Sequence, residues 1–428
     1  MTSPPITRTI SVEQLCVGLY VHLDLAWLEH SFARNSFKIK SIEQIAAIKQ
    51  LGIKTIRVEP ARCDGRPLPL VSNPEAVIAP VEMAAPSAEE VEMINAKKER
   101  IQKLIEEREA IAKCEKDYLK AANAIKDISR NLFSRPKETR ENADQLVKQM
   151  FDSMMADTNI AIHLMNDKIA GEDAYYHSLN VSILSMMLAK EMSLSNEDIK
   201  TLGLGCLFHD IGKIEIPDRI VHSTFALTRA EQNLLQMHCQ YGENIGAKIH
   251  LPKGAMDIIS QHHEYVDGSG YPKQLSQERI SPLARIVCII NAYDNHCNRP
   301  NPADSLSPYE ALSYMFKQQR KLFDATALNT FIRCMGIYPP GTLVELSDGT
   351  LGMVVSVNSG KALRPSVLIY DANVPKNEAI ILDLSMELEL EVKSSLKASQ
   401  LSPEVYDYLS PRTRMNYFFD APKKPTGR

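Results

Sequence analysis

The sequence predicts a multidomain α+β protein, with a central all-α helical bundle between a small α+β N-terminal domain and a small C-terminal β element. Three observations carry this. Between about Asn142 and Phe331, apolar residues recur at three- and four-residue spacings, as in Val181, Leu184 and Leu188 and again in Ile286, Ile289 and Ile290, the period of helices with one buried face. Beyond Pro339 and Pro340 the period shortens to two, that of strands. The chain of 428 residues is long enough for about three domains, and its 44% apolar content is ordinary for packed cores.

Residues 1–60 read as a small α+β domain. Residues 17–23 alternate as a strand does, and a helix begins at Ser41, which forms a capping-box pair with Gln44. That helix runs through Ile42, Ile45 and Ile48, stops at Gly52, and is followed by strand-like residues 54–58. Prolines at 60, 67, 69, 74, 80 and 86 remove backbone donors and fix φ, which marks residues 61–86 as a linker. Residues 87–141 read as a connecting helix or coiled coil. Within 87–130, Leu104, Ile111, Tyr118 and Ile125 recur every seven residues, and Cys114, Ala121 and Ile128 form an offset seam that Glu107 interrupts. A homodimer contact and packing on its own chain both fit that pattern. Residues 142–335 form the helical domain and 336–428 the C-terminal region. There, residues 343–346 and 353–357 flank an Asp348-Gly349 turn as a hairpin, and residues 367–370 and 380–384 add further strands.

Composition narrows the function classes. A net charge of −4 with a pI near 6.3 offers no positive field for a nucleic-acid polymer, so a phosphate-bearing ligand must be held at a local site. No stretch reaches the roughly 18 uninterrupted apolar residues of a membrane helix, and the N-terminus lacks the apolar core of a signal peptide. The expectation is a cytoplasmic chain without membrane insertion. The eight cysteines have neither CxxC pairs nor the density of a disulfide scaffold, and read as reduced core thiols.

Nine of the eleven histidines, at 163, 177, 209, 222, 238, 250, 262, 263 and 296, fall within one third of the chain, where the chemistry is therefore expected. The densest signal is Phe208-His209-Asp210-Ile211-Gly212-Lys213, at the end of an apolar helical run from Leu202. Neighbouring His and Asp on a helix point about 100° apart, so a neutral imidazole can hold one metal while the carboxylate reaches between two. His177 upstream, with His238 and the pair His262-His263 downstream, adds nitrogen ligands from several helices. Any one of these alone reads better as a buried, hydrogen-bonded histidine; the set together favours metal ligation. Two oxygen-bridged metals ionise a water near neutral pH and stabilise both oxygens of a phosphoryl displacement, so metal-dependent phosphoester hydrolysis is the expected chemistry.

Lys213, one turn on from His209, is placed to meet a phosphate oxygen, the alternative being a solvated lysine near a helix end. Residues 262–272, His-His-Glu-Tyr-Val-Asp-Gly-Ser-Gly-Tyr-Pro, favour a tight loop beside the metals, with Tyr271 available to stack on a ligand. A structural turn with a buried tyrosine fits the same residues. His163, His222 and His250 read as structural or surface residues, and Cys206 and Cys239 as small apolar groups.

At these residues the sequence resembles the HD-GYP phosphodiesterases, a branch of the HD phosphohydrolase superfamily, through HDxGK at 209–213 and HHExxDGxGYP at 262–272. The resemblance spans residues 155–335, and the region ahead of it is similar to the small N-terminal domain often attached to such proteins in bacteria. It implies that the helical bundle is of the HD type. It also implies hydrolysis of the bacterial signalling molecule cyclic di-GMP to linear pGpG or on to GMP, with cyclic GMP-AMP as an alternative substrate, using two or three iron or manganese ions. Carried over to this chain, it implies metal ligation by His177, His209, Asp210, His238, His262 and His263. Asp210 and Lys213 would be catalytic, with Lys213 on a substrate phosphate and Gly270, Tyr271 and Arg299 as further substrate contacts. Asp173, four residues before His177 on the same helical face, stands where relatives with a third metal carry a glutamate; an ordinary exposed acid fits it equally well.

One position departs from that pattern. The family's last metal-binding aspartate lies in a segment resembling IxDxYDA, and Ile290-Asn291-Ala292-Tyr293-Asp294-Asn295 puts Asn291 there. A neutral amide oxygen is a weaker partner for a hard cation than a carboxylate, so metal affinity or metal choice is expected to change. Asp294 is three residues on, nearly one turn, and would substitute only from a different helix face, which makes Asn291 the expected ligand. Residues 296–300, which include Arg299, also depart from the family's usual sequence. Asn291 supports a second reading, a catalytically weak receptor that binds a cyclic dinucleotide or a partner protein and signals through the 87–130 helix. A third, another HD-type nucleotide phosphohydrolase, conflicts with the Gly-Tyr-Pro loop.

Overall fold

The structure, a computed structural model, describes residues 7–25, 32, 35–69, 88–155, 161–164, 173–358, 363–409, 415 and 417–419, apart from positions 373, 375, 377, 378 and 388. It divides into two compact units, Met1–Glu107 with Asp371–Ile380, and Arg108–Tyr370 with Ile381–Arg428.

In the first unit, β1 (Arg8–Ser11), β2 (Tyr20–His22), β3 (Ser36–Lys38), helix α1 (Ile42–Gln50) and β4 (Thr55–Val58) follow in the chain, and the strands stand side by side as β1-β4-β2-β3. Leu19, Val21, Ile48, Ile56 and Val58 form its core. The cap at Ser41 forms with a shift. Its hydroxyl accepts from the Gln44 N–H at 3.4 Å, but the Gln44 side chain accepts from the N–H of Lys40, at 2.7 Å, rather than from that of Ser41. The proline-rich stretch begins by bonding back to this unit. Leu68 and Gln14 exchange hydrogen bonds of 2.9 and 3.0 Å, and Lys38 meets Asp64 at 2.8 Å. The remainder of that stretch, 70–87, lies outside the described residues.

Helix α2 (Ala88–Asn131) covers most of the connecting segment predicted over 87–141, while residues 136–141 already belong to the next helix, which runs on to Met155. From Cys114 onward both seams are buried in the core of the second unit: Cys114, Tyr118, Ala121, Ile125 and Ile128 are each 5% exposed or less. Tyr118 stacks on Tyr176 with ring centroids 5.6 Å apart. This part of the helix packs on its own chain.

The second unit continues through α3 (Pro136–Met155), β5 (Ala161–Leu164), α4 (Asp173–Glu191), α5 (Asn196–Phe208), α6 (Asp218–Val221), α7 (Arg229–Gln236), α8 (His238–Lys248), α9 (Lys253–Gln261), α10 (Pro282–Cys297), α11 (Pro308–Gln318) and α12 (Ala325–Met335). Ser195, Thr228, Ser307 and Asp324 cap α5, α7, α11 and α12, each accepting an N–H from the third residue beyond. Helices α4, α5, α9 and α10 pack on one another through a common apolar core. On α10, Ile286, Ile289 and Ile290 are 2% exposed or less. Burial of each contributes about 1.5–3 kcal/mol.

Beyond the bundle, β6 (Leu343–Leu346) and β7 (Leu351–Asn358) form the expected hairpin, with Leu343 opposite Met353. β8 (Ser366–Ile369), β9 (Ile381–Asp383), β10 (Val392–Leu396), α13 (Pro403–Leu409) and β11 (Tyr417–Phe419) complete the described elements. One finding departs from the periodicity. Ala161–Leu164, inside the stretch expected to be helical, is a strand, and it joins this sheet between β7 and β11. It thereby carries β11 to the helical core, where Tyr417 is fully buried and its hydroxyl lies 3.0 Å from that of Tyr293 on α10.

Candidate active site

The central residues arise where α5 ends. Phe208 is its last residue, His209 is the cap, and Asp210, at φ −101° and ψ 6°, opens a 3-10 turn over Ile211–Glu215. The α-helix therefore stops before Lys213 instead of carrying His209, Asp210 and Lys213 together. The turn lies so close to the start of α8 that a Cβ on Gly212 would come within 2.0 Å of the His238 carbonyl oxygen, so only glycine fits. Asp210 is thereby held beside His238.

Around Asp210 the histidines divide into two groups. Its Oδ2 lies 3.4 Å from His209 Nε2 and 3.6 Å from His177 Nε2; its Oδ1 lies 3.4 Å from His238 Nε2 and 3.6 Å from His262 Nε2. His177, His209 and Asp210 form one set of potential metal ligands, and Asp210, His238, His262 and His263 the other, with the ligand atoms of each set within 4.8 Å of one another. The second ring nitrogen aims each imidazole. Nδ1 of His209 bonds the Cys206 carbonyl at 2.7 Å, that of His238 the Leu235 carbonyl at 2.6 Å, and that of His262 the Ile259 carbonyl at 3.0 Å. For His177 the partner is a carboxylate, Asp294 Oδ2 at 2.6 Å. An Nδ1–H donated in this way leaves the Nε2 lone pair directed at the centre.

Electrostatics agree with ligation. Burial pushes His262 down to about 3, with His209 and His238 adding to the effect and the nearby Asp210 carboxylate opposing it. Burial likewise lowers His263, helped by His262 and His238, and lowers His238 against the pull of Asp210. These rings are therefore neutral near pH 7. Burial by itself would raise the Asp210 carboxyl, but Lys213 and His209 outweigh it and hold it well below the usual carboxylate range. Its Oδ1 is nonetheless buried without a hydrogen bond. An ionised oxygen so placed among neutral imidazoles calls for a cation, and a donor set of imidazoles with a shared carboxylate suits divalent transition metals. The residues present fit a metal centre.

Lys213 Nζ meets Asp210 Oδ2 at 2.5 Å and remains one-third exposed, so its ammonium lies at the mouth of the cluster. Tyr271 stacks on His263 with centroids 4.4 Å apart and planes 20° from parallel. The loop that carries it is pinned by Glu264, a buried acid whose two oxygens accept the N–H groups of Lys273 (2.6 Å) and Leu275 (2.9 Å). At Gly270 a Cβ would lie 2.4 Å from the Tyr265 nitrogen, so the loop closes only with glycine there.

The remaining predicted residues lie as follows. Asn291 is buried, and its Oδ1 accepts from Asn295 Nδ2 at 2.8 Å. It is Asp294, three residues on, that bonds His177. Arg299 is exposed beyond the end of α10, its backbone N–H on Ser305 and its guanidinium 3.4 Å from His296. Asp173 begins α4, and its side chain lies outside the described residues. Cys206 and Cys239 are buried thiols pushed up to about 12 by burial, which makes them apolar packing groups at neutral pH. Glu264, Asn180 and the His177 contact of Asp294 were not singled out by sequence reasoning. For Asp294 the signal was its place in the segment after Ile290, but spacing on one helix does not tell which face meets His177.

Residues 149–327 match the HD domain family, and residues 7–143 match a family described as a domain of unknown function, DUF3391. The chain is 29% identical over 366 residues to the cyclic di-GMP phosphodiesterase PA4108 of Pseudomonas aeruginosa, with 85% of each chain covered. It is 27% identical over 214 residues to the cyclic di-GMP phosphodiesterase PdeB of Borreliella burgdorferi, covering 49% of this chain and 56% of that one. It is also 31% identical over 118 residues to the 3'3'-cGAMP-specific phosphodiesterase 3 of Vibrio cholerae, covering 28% of this chain and 26% of that one. The segment that matches the HD domain family encloses the whole His/Asp cluster and the Gly-Tyr-Pro loop, and the chain carries this HD domain after an N-terminal DUF3391 domain.

Proposed function

We propose that this chain is a metal-dependent phosphodiesterase that hydrolyses cyclic di-GMP to linear pGpG, to GMP, or to both, using two iron or manganese ions, with a third if Asp173 joins His177 as a ligand. The observation that carries the proposal is the Asp210 carboxylate, whose two oxygens face separate pairs of imidazole nitrogens. Divalent ions held there would supply Lewis acidity and a nucleophilic water for attack on a phosphodiester. The chain's own residues do the remainder. Asp210 ties the two ligand groups together, and Asn291 is offered as a further ligand. Lys213, at the mouth of the cluster, balances the charge that builds on a phosphate oxygen. Tyr271 and Gly270 line the approach as base and backbone contacts, with Arg299 as a more distant contact.

A cyclic dinucleotide substrate is supported by the likeness to relatives named for cyclic di-GMP, the first of which aligns over 85% of this chain. Cyclic GMP-AMP is the alternative substrate, by likeness to a relative named for it. Cytoplasmic residence belongs to the same proposal, since eight cysteines held as thiols rather than disulfides suit a reducing compartment. No helix among the described residues is long and apolar enough to cross a membrane. A homodimer, if formed through α2, would use the part ahead of Cys114.

The test is turnover by the full chain loaded with Fe²⁺ or Mn²⁺. Cyclic di-GMP should become a linear product, and Asp210→Ala should abolish the reaction; undiminished turnover in that variant sinks the proposal. The second reading, a receptor with little turnover, rests only on Asn291 in place of an acid, and would show as binding without hydrolysis in every metal tried.

A further inference from the structure

Asp294 is the hub of a polar network that ends at the C-terminal strand. Its carboxylate is 1% exposed. Oδ2 accepts from His177 Nδ1 at 2.6 Å, while Oδ1 accepts from the amide nitrogens of Asn180 (2.9 Å) and Asn298 (3.0 Å). Both amides are clamped by one backbone segment far along the chain. Asn180 Nδ2 and Asn298 Nδ2 also donate to the Met415 carbonyl, at 3.0 and 2.9 Å. Asn298 Oδ1 accepts the Met415 N–H at 2.7 Å, and Asn180 Oδ1 accepts the Tyr417 N–H at 3.1 Å. A backbone N–H only donates and a carbonyl only accepts, so the segment fixes which way each amide faces. Each amide must then point its second N–H at Asp294.

We infer that the backbone groups of Met415 and Tyr417 belong functionally to the metal centre, with Asn180 and Asn298 as positioning residues that hold Asp294, and through it His177, in ligating geometry. The two amides occupy Oδ1, so Oδ2 is left for the imidazole, which must present Nδ1–H to it and keep the Nε2 lone pair for a cation. Outer partners of this kind set both the tautomer and the orientation of a ligating histidine. Asn180 is on the same helix as His177, and Asn298 directly follows the helix of Asp294. The C-terminal segment thus bonds a residue on each side of the direct His177–Asp294 link. Without it neither amide has this restraint on the direction in which it donates to the carboxylate.

The inference rests on His177 being a metal ligand, and the experiment separates the two ideas. Full-length, metal-stripped protein is titrated with Mn²⁺ by calorimetry, as wild type and as Asn298→Ala, Asn180→Ser and His177→Ala. In Asn298→Ala and Asn180→Ser one Mn²⁺-binding event should weaken about 10-fold while the other is unchanged. Asn298→Ala added to His177→Ala should give no further loss, because its effect passes through that ring. Wild-type affinity in both asparagine variants, alongside loss of an ion in His177→Ala, overturns the inference. So does an equal further loss in the double variant. His177→Ala that keeps both ions removes the ligand assignment itself, and the inference with it. If Asn180→Ser does not fold, the half-buried Asn298→Ala and its double variant decide the matter.

Discussion

Nδ1 of His177 on α4 and Oδ2 of Asp294 on α10 lie 2.6 Å apart, so these two helices are joined by a carboxylate–imidazole pair. A carboxylate behind a ligating histidine raises its basicity and fixes its tautomer. Asp294→Asn should therefore weaken Mn²⁺ binding about 10–100-fold, measured by titration of the stripped protein, with the far-UV circular dichroism unchanged. Undiminished affinity would mean that His177 is aimed by something else.

Lys213 sits on Asp210 with its ammonium partly in solvent, which suits a group that answers charge on an incoming phosphate. Lys213→Met is expected to lower kcat about 100-fold while leaving metal content near that of the unaltered protein. Elemental analysis beside steady-state kinetics checks both halves, and loss of metal with activity would reassign Lys213 to holding Asp210.

Gly212 has no room for a methyl group, since its Cβ would stand 2.0 Å from the His238 carbonyl oxygen and 2.5 Å from the Gly242 nitrogen, both backbone atoms. Gly212→Ala must push the 3-10 turn off α8, moving Asp210 away from His238. A loss of about 3 kcal/mol or more in stability is expected, with reduced metal content; a thermal midpoint equal to that of wild type would contradict the packing.

Acid should destabilise the metal-free chain through its histidines. Burial holds His262 at about 3, below its unfolded value of about 6.5. Below pH 6.5 the unfolded chain thus takes up a proton that the folded one refuses, and stability falls as the pH drops toward 3. For this residue the slope reaches about 1.4 kcal/mol per pH unit. His238 and His263, also lowered by burial, act in the same sense. Asp210 acts elsewhere. Its carboxyl is depressed, so its contribution is present above the ordinary carboxylate range and is lost only in stronger acid. Thermal melts of chelator-treated protein at pH 7.5, 6.5 and 5.5 should show a falling midpoint, and a flat profile would count against neutral, buried rings.

Asn291→Asp restores a carboxylate at a buried position whose amide oxygen now accepts from Asn295. If that oxygen faces an ion, the substitution should strengthen metal retention during dialysis against chelator, because an anionic oxygen is the better partner for a hard cation. Unchanged metal content would place Asn291 outside the ligand set.

Local features were readable from the chain because they depend on neighbours. The apolar period of α10, the β6–β7 hairpin at Asp348-Gly349, and the run from His209 to Lys213 each involve residues a few positions apart. Long-range pairings were not. Ala161–Leu164 becomes a strand only because β7 and β11 flank it, and its own residues carry no sign of partners found near positions 357 and 418.

By itself, then, the sequence determined the kinds of donor available to this protein, a set of imidazoles with one aspartate and one lysine, and the glycine and tyrosine of the adjoining loop. Tertiary structure alone decided which oxygen of Asp210 faces which imidazoles, and that Asp294, steadied by Asn180, Asn298 and the Met415 backbone, stands behind His177. The physical reason is that helical spacing defines a face, whereas the partner of that face is set by how segments more than a hundred residues apart pack and satisfy their buried polar groups.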